Sequence, residues 1–245
     1  MINIVFSEFY KILRSKIFIV ISSILLFMFT VSLGFNIYYI EESQQLLTGI
    51  SNYNGSYTAD VIYYIIITFV TSLITAEYTN GTVRQMACRG ISRWKLLFGR
   101  YIAMYFVITL ILLIFGVLNL ISGTMFNQLG DVDLIAFLRM NIGILCMFWA
   151  IAGIGTFISY LFKNEVVATA ISFLVIMSKD IFAYLLHLLT KNDIFIKYSL
   201  SNMRSVILDF TSSPEDVIKC SIVFLVFGVI TIILSSLLFS IRNID

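Results

Sequence analysis

Residues 17–40 read IFIVISSILLFMFTVSLGFNIYYI, an uncharged stretch that lies between Lys16 and Glu41. About 20 predominantly apolar residues in a helix are enough to cross the hydrocarbon core of a bilayer. The segment therefore predicts a first transmembrane helix, and it places the chain among membrane proteins.

Five further segments fit transmembrane helices: residues 61–76, 101–129, 140–162, a stretch beginning at Val166, and 220–241. The fifth span reaches Lys179 and Asp180 after thirteen uncharged residues. At about 1.5 Å per residue it falls short of a core of about 30 Å. Either these two charged residues lie inside the membrane, where ionisable groups mark pathways, or the span ends early and residues 182–189 re-enter.

Composition agrees with this class, since 60% of the 245 residues are hydrophobic and 12% are charged. Soluble domains average about 45–50% apolar and about 25% charged residues. We therefore expect an all-α membrane protein with six spans and a single transmembrane domain over residues 1–245. The net charge of +2 and the lack of a basic run interleaved with aromatic residues argue against a nucleic-acid partner. Three scattered cysteines and one histidine predict neither a metal site nor a catalytic centre.

Residues 1–16 precede the first span and are predicted to form an amphipathic helix in the membrane interface. A plain cytosolic extension of the first span is the simpler alternative. The interfacial prediction rests on helical periodicity: an apolar set recurs at Ile2, Val5, Phe6, Phe9 and Leu13, while Ser7, Lys11 and Arg14 lie on another face.

Charge asymmetry predicts the orientation. With six spans, both termini share a side with residues 77–100 and 163–165. That side has ten of the sixteen basic residues, namely Lys11, Arg14, Lys16, Arg84, Arg89, Arg93, Lys95, Arg100, Lys163 and Arg242, and four of the fourteen acidic ones, Glu8, Glu77, Glu165 and Asp245. Both termini are therefore expected in the cytoplasm.

The segment between the second and third spans, residues 77–100, reads EYTNGTVRQMACRGISRWKLLFGR. Gly81 can end the second span in a left-handed conformation, and Ser92 can cap the helix that enters the third. Two short helices broken at Gly90 would form a stiff, basic elbow. The alternative is a positive anchor, that is, basic residues that only hold this loop on the cytoplasmic side, as any membrane protein needs.

The order Glu77, Gly81-Thr82-x-Arg84, Gly90-x-Ser92-Arg93 resembles the coupling loop of ABC transporter permeases of the type-2 exporter superfamily. The resemblance implies that Glu77, Gly81, Thr82, Arg84, Gly90, Ser92 and Arg93 form a coupling helix docked on an ATP-binding subunit. It further implies two copies of that subunit, with ATP and Mg²⁺ bound there, and a second permease, identical or related. This chain has no GxxxxGK(S/T) loop, so no cofactor is expected in it.

Polar residues in the spans have two possible roles. Thr68, Thr71 and Thr75 share a face of the second span and could line a substrate path, although such residues more often pack helices together. The small residues Ala152, Gly153, Gly155, Thr156 and Ser159 predict a helix contact. Type-2 exporters have short re-entrant helices between their last two spans, on the outer side. The resemblance therefore implies that residues 179–219 form an outer loop that can re-enter the membrane. Lys179 and Asp180 would then lie near the outer interface.

The substrate and the source follow from weaker signals. Resemblance to permeases for peptide antibiotics and lantibiotic immunity implies export of amphipathic or hydrophobic peptides. A composition rich in Ile, Phe, Lys and Asn favours a bacterial cell membrane.

Other functions are less well supported. An intramembrane metalloprotease would need arginine at position 46 after Glu41-Glu42, where the chain has Leu46, and His187 has no partner histidine. A structural or signalling membrane subunit stays open.

Overall fold

A computed structural model describes residues 2–42, 48–79, 93–126, 128–130 and 133–241. Regular structure within these ranges is entirely helical. The helices are α1 (Ile2–Leu13), α2 (Lys16–Glu42), α3 (Gly49–Thr58), α4 (Val61–Thr79), α5 (Arg93–Phe126), α6 (Leu134–Phe162), α7 (Glu165–Met177), α8 (Lys179–Thr190), α9 (Ile194–Lys197), α10 (Leu200–Leu208) and α11 (Pro214–Ile241).

Five of the described helices are long and apolar enough to cross a membrane: α2, α4, α5, α6 and α11. The helices α7 and α8 make a sixth candidate if they are counted as one span, but they bend by 47° at the break between them. The all-α membrane class is thus confirmed, with five spans or six. The irregular span is the fifth, the one whose length the sequence made doubtful.

Two spans begin earlier than their uncharged stretches suggest. Helix α5 begins at Arg93 and α11 at Pro214. Proline suits the first turn of a helix because its missing N–H has no intrahelical partner there. Charged residues at a span's end continue the helix into the interface, and hydropathy alone does not reveal this.

The bundle has two ends, which we name from their contacts. At the near end, α1 packs on the start of α5, and Tyr160 of α6 lies 5.2 Å from the ring of Phe239 in α11. At the far end, the Asn54 amide of α3 donates to the carbonyl of Leu208 in α10 at 3.2 Å. The start of α1 and the end of α11 therefore lie toward the near end.

Helix α6 is the centre of the packing, between α4 and α11. A Cβ at Gly153 would overlap the hydroxyl of Thr231 in α11, and one at Gly155 would lie 3.4 Å from Val70 in α4. The predicted small-residue contact is confirmed, because these glycines let two neighbouring helices approach the backbone of α6.

Candidate functional site

Four charged side chains meet at the near end, and we call them the near-end cluster: Glu8, Lys11, Glu77 and Arg100. The ammonium of Lys11 donates to Glu8 Oε1 at 3.2 Å and to Glu77 Oε1 at 2.7 Å. The guanidinium of Arg100 pairs with the Glu77 carboxylate, and its Nε lies 3.7 Å from Glu8 Oε2. Two acids thus face two bases, and their formal charges balance.

Three of the four side chains are buried, which gives their pairing energetic weight, whereas Lys11 is 42% exposed. Arg100 is 2% exposed and Glu8 is 3% exposed. A charge removed from water costs several kcal/mol unless partners and hydrogen bonds compensate for it. Arg100 gains a further bond from the near end of α6, where its Nη1 donates to the Tyr160 hydroxyl at 3.2 Å. One guanidinium therefore joins α1, α4 and α6 to α5.

Local sequence explains why the cluster forms. Glu8 and Lys11 are one turn apart on α1, so both can reach the same partner helices. Gly99 allows α1 to approach α5 closely, since a Cβ there would lie 2.8 Å from Ile4 Cγ2. Glu77 lies in the last turn of α4, and Arg100 lies in the second turn of α5. The two flanks of residues 80–92 are therefore both held on α1.

A cavity of about 230 Å³ adjoins the cluster and is lined in part by Lys11, Ser15 and Glu77. The space is several times the roughly 30 Å³ that one molecule occupies in liquid water.

Helix α1 has three faces where the sequence predicted one apolar and one polar face. Val5 and Phe9 pack partly against the bundle, but Phe6 is 68% exposed. Leu13 is exposed as well. Part of the predicted apolar face thus packs on the bundle and part is exposed, and the interfacial position of α1 stays a prediction.

Lys179 and Asp180 lie at the far end, where they have different partners. Lys179 donates to Asp60 Oδ1 at 2.8 Å, and Arg204 donates to the same oxygen at 2.7 Å. We call Asp60, Lys179 and Arg204 the far-end triad. Asp180 instead accepts a hydrogen bond from the Ser201 hydroxyl at 2.7 Å.

Tyr63, in the first turn of α4, supports the triad. The Lys179 ammonium lies 4.9 Å and the Arg204 guanidinium 5.0 Å from the centre of its ring. Partial burial favours a higher pKa for Asp60, but the hydrogen bonds and charges of Lys179 and then Arg204 outweigh it and lower that pKa below 3.8.

The three threonines predicted to share a face of α4 bond to their own helix. Thr68 donates to the Tyr64 carbonyl at 2.7 Å, and Thr75 donates to the Thr71 carbonyl at 2.7 Å. The Thr71 hydroxyl lies 2.8 Å from the Ile67 carbonyl and 2.9 Å from the Thr169 hydroxyl of α7. A path along this face would require α4 and α7 to separate, and the pathway role stays a prediction.

The sequence model of the ABC-2 family transporter proteins matches residues 4–179 of this chain, which is well over half of its 245 residues. The chain belongs to this family. It is thus a membrane subunit of an ABC transporter, and ABC-2 permeases work with an ABC ATP-binding protein. No curated protein sequence matches it at a significant level. The matched range includes α1 to α7 and therefore the whole near-end cluster.

The predicted coupling residues of this ABC-2 permease are only partly within the described structure. Glu77 is in the near-end cluster, and Arg93 is the first residue of α5. Gly81, Thr82, Arg84, Gly90 and Ser92 lie outside the described residues.

Sequence reasoning missed the partners of Glu77. Glu8 and Lys11 counted only toward the charge balance and the polar face of α1, and Arg100 counted only as a positive anchor. A signal existed, since an acid and a base one turn apart in a mostly apolar helix are typical of a buried ion pair.

Proposed function

We propose that this ABC-2 permease uses residues 77–100 as the coupling element that docks on its ATP-binding subunit and drives outward export. The near-end cluster carries the proposal. Both flanks of residues 80–92 are tied to α1 by ion pairs, the Glu77 flank through the partly exposed Lys11 and the Arg100 flank through the buried Glu8. A load on the segment would therefore move α1, α4 and α5 together.

Ion pairing makes this joint movement the favourable one. Separating one partner of a buried pair costs about 3–5 kcal/mol. That cost is a sizeable part of the total stability of a domain, about 5–15 kcal/mol. Moving the three helices as one body avoids it, while the far ends of α4 and α5 transmit the displacement.

The faces of α1 support an interfacial position and a cytoplasmic near end. Phe6 and Leu13 are exposed on one side of α1, whereas Ser7 and Lys11 are exposed on another. Such a helix can present apolar groups to lipid and polar groups to water. Together with the basic excess, this supports cytoplasmic termini in a bacterial cell membrane, on the side where ATP is found.

Two copies of the permease, identical or related, would form the transport path with two ATP-binding subunits. The interior of one chain is filled by side chains such as Tyr57, Ile66, Phe69 and Phe148, each fully buried. Close packing of this kind favours a path between two permeases over a path through one.

Amphipathic or hydrophobic peptides are the proposed substrates, and their export would protect the cell against antibiotic peptides. The resemblance to peptide-immunity permeases supports this class. The helices α8 to α10 occupy only residues 179–208 at the far end, too few for a domain that holds a large polar substrate. Inverted vesicles should take up a fluorescent amphipathic peptide with ATP, and uptake of phospholipid alone would contradict the substrate class.

Two substitutions test the coupling role, Gly90→Val and Arg93→Glu. Valine removes the backbone freedom of glycine, and glutamate replaces the planar fork of arginine with an opposite charge. Each variant should keep normal abundance in the membrane but lose the stimulation of ATP turnover and the export of substrate. Lys16→Glu, a charge reversal on the same predicted side but outside residues 77–100, serves as the matched control.

The alternative, a positive anchor, predicts another result. Charge reversal at Arg93 or at Lys16 would then disturb insertion equally, and Gly90→Val would have little effect. Normal export by both test variants would contradict the coupling role.

A further inference from the structure

The two ends of α4 each carry a carboxylate that lies in an ion-paired group. Asp60 directly precedes α4, and Glu77 lies in its last turn. The two residues are seventeen positions apart in the sequence, which corresponds to about 25 Å along the helix axis at 1.5 Å per residue. One helix therefore connects the near-end cluster with the far-end triad.

The triad depends on a single oxygen. Both Lys179 and Arg204 donate to Asp60 Oδ1, at 2.8 and 2.7 Å. The two cations come from different helices, α8 and α10, and would repel each other without the carboxylate between them. Since hydrogen bonds are lost beyond about 3.5 Å, a shift of Asp60 by about 1 Å releases both.

Outside the triad, α8 has a polar contact near its other end, where His187 Nδ1 lies 3.4 Å from Asp193 Oδ1. None of its residues is buried, and Lys179 stands at its start, directly after the 47° bend that separates it from α7. Asp180 links it to α10 through Ser201. A helix with so little buried apolar surface has a low barrier to movement once its ionic contact opens.

Space for this movement lies beside α8. An open cleft of about 810 Å³ runs along α8, and Tyr184, Leu188, Ile196 and Asn202 are among the residues of α8, α9 and α10 that line it. Helix α8 can thus change its position without displacing the packed core around α6.

We propose that the far-end triad is a latch that holds α8 and α10 against the start of α4 and opens when α4 is displaced from the near end. The link to displacement rests on the proposed function, whereas the latch itself rests on the triad. The latch makes α8 a mobile element of the transport cycle, released by movement of Asp60.

Spin labels on α3 and α8 test the latch in the purified permease in lipid nanodiscs. Position 55 accepts a label without a clash, because a Cβ at Gly55 meets nothing within 4 Å. Leu189 on α8 is 82% exposed. The three native cysteines are replaced by alanine in this background. We expect one dominant distance between positions 55 and 189 in the unsubstituted triad and a second, longer population in Asp60→Asn.

Two variants control for a general loss of structure. Asp60→Glu keeps the charge and should restore the single distance. Glu215→Gln removes another far-end carboxylate, 84% exposed and paired with Lys219 of α11, and should leave the distance unchanged. One unchanged distance in Asp60→Asn overturns the latch, and so does a second population that Glu215→Gln produces equally.

A second arm adds the ATP-binding subunit and a non-hydrolysable ATP analogue to the unsubstituted permease. The longer distance should then appear without any change in the triad. If Asp60→Asn opens the latch but the analogue does not, the link between the latch and α4 is overturned. Failure of the proposed function is seen separately, as unchanged ATP turnover in the variants of positions 90 and 93.

Discussion

Arg100→Met removes one of the two cations of the near-end cluster and leaves Glu8 and Glu77 facing Lys11. Methionine keeps an unbranched apolar chain in the space of the arginine stem. Lys11 is 42% exposed on its side chain and lies closest to Glu77 at 2.7 Å. Glu8, 3% exposed, would then keep Lys11 at 3.2 Å as its ion-pair contact among the described residues.

The magnitude follows from this burial. Breaking a buried pair by removing one partner costs about 3–5 kcal/mol. Lys11 compensates part of the charge, while the lost hydrogen bond to Tyr160 adds about 1 kcal/mol. We expect Arg100→Met to lower the free energy of unfolding by about 3–5 kcal/mol, a factor of about 10² or more in the unfolding equilibrium.

Unfolding in mixed micelles with increasing dodecyl sulfate, followed by tryptophan fluorescence, measures this loss. The double variant Glu77→Gln/Arg100→Met removes both charges of one pair. It should be less destabilised than the sum of the single variants, by about 1–3 kcal/mol. Arg100→Lys keeps the charge without the planar fork and should fall between the wild type and Arg100→Met.

Lys219→Met is the matched control, since Lys219 pairs with Glu215 at 3.3 Å with both side chains more than half exposed. Exposed pairs of this kind contribute little to stability. A loss for Arg100→Met no larger than that for Lys219→Met would refute the reasoning that the near-end cluster holds α1, α4 and α5 together.

Three further predictions concern packing, pH and orientation. Gly153→Val should strongly reduce the amount of folded protein in detergent, because the valine side chain would force α6 and α11 apart. Gly34→Ala is the control and should not reduce it, because a Cβ at Gly34 meets no atom within 4 Å. Equal yields of folded protein from the two variants would be inconsistent with the contact. Because the pKa of Asp60 is lowered, its stabilisation is present above about pH 4 and lost only as pH falls through the lower folded value. The difference in unfolding free energy between wild type and Asp60→Asn should thus be equal at about pH 7 and pH 5, and its disappearance at pH 5 would contradict the ion pairing. In sealed cells, an impermeant thiol reagent should label Asp209→Cys but not Arg89→Cys, and labelling at position 89 would reverse the orientation.

Long uncharged stretches made the membrane class predictable. Residues 17–40 correspond to α2, and the doubt about the fifth span corresponds to the bend between α7 and α8. Hydropathy predicts helices in lipid well because backbone hydrogen bonds must be satisfied within the segment. It does not predict how far each helix extends beyond the core, as the start of α5 at Arg93 shows.

The charged groups were harder to predict because their partners are distant in the sequence. Asp60 and Arg204 are 144 residues apart, yet a hydrogen bond of 2.7 Å joins them. Lys179 and Asp180 are adjacent in sequence but bond to different helices. Pairing of this kind depends on how the helices pack, which a single sequence does not specify.

Helix α1 shows the same difficulty within one element. Its periodicity correctly predicted a helix, but Val5 and Phe6 have different surroundings although both belonged to the predicted apolar face. Burial against α4 and α5 divides that face. Periodicity identifies which side of a helix is apolar, whereas the choice between protein and lipid as its neighbour requires the tertiary contacts.

Site-specific photo-crosslinking tests the central claim, that residues 77–100 contact the ATP-binding subunit, most directly. A photoreactive amino acid is placed at Arg84 or, as control, at Leu129, which is 54% exposed toward the far end. The complex with the ATP-binding subunit is then irradiated in native membranes. A crosslinked band containing that subunit is expected from position 84 and not from position 129. The absence of a crosslink from position 84, or an equal yield from position 129, would contradict the claim.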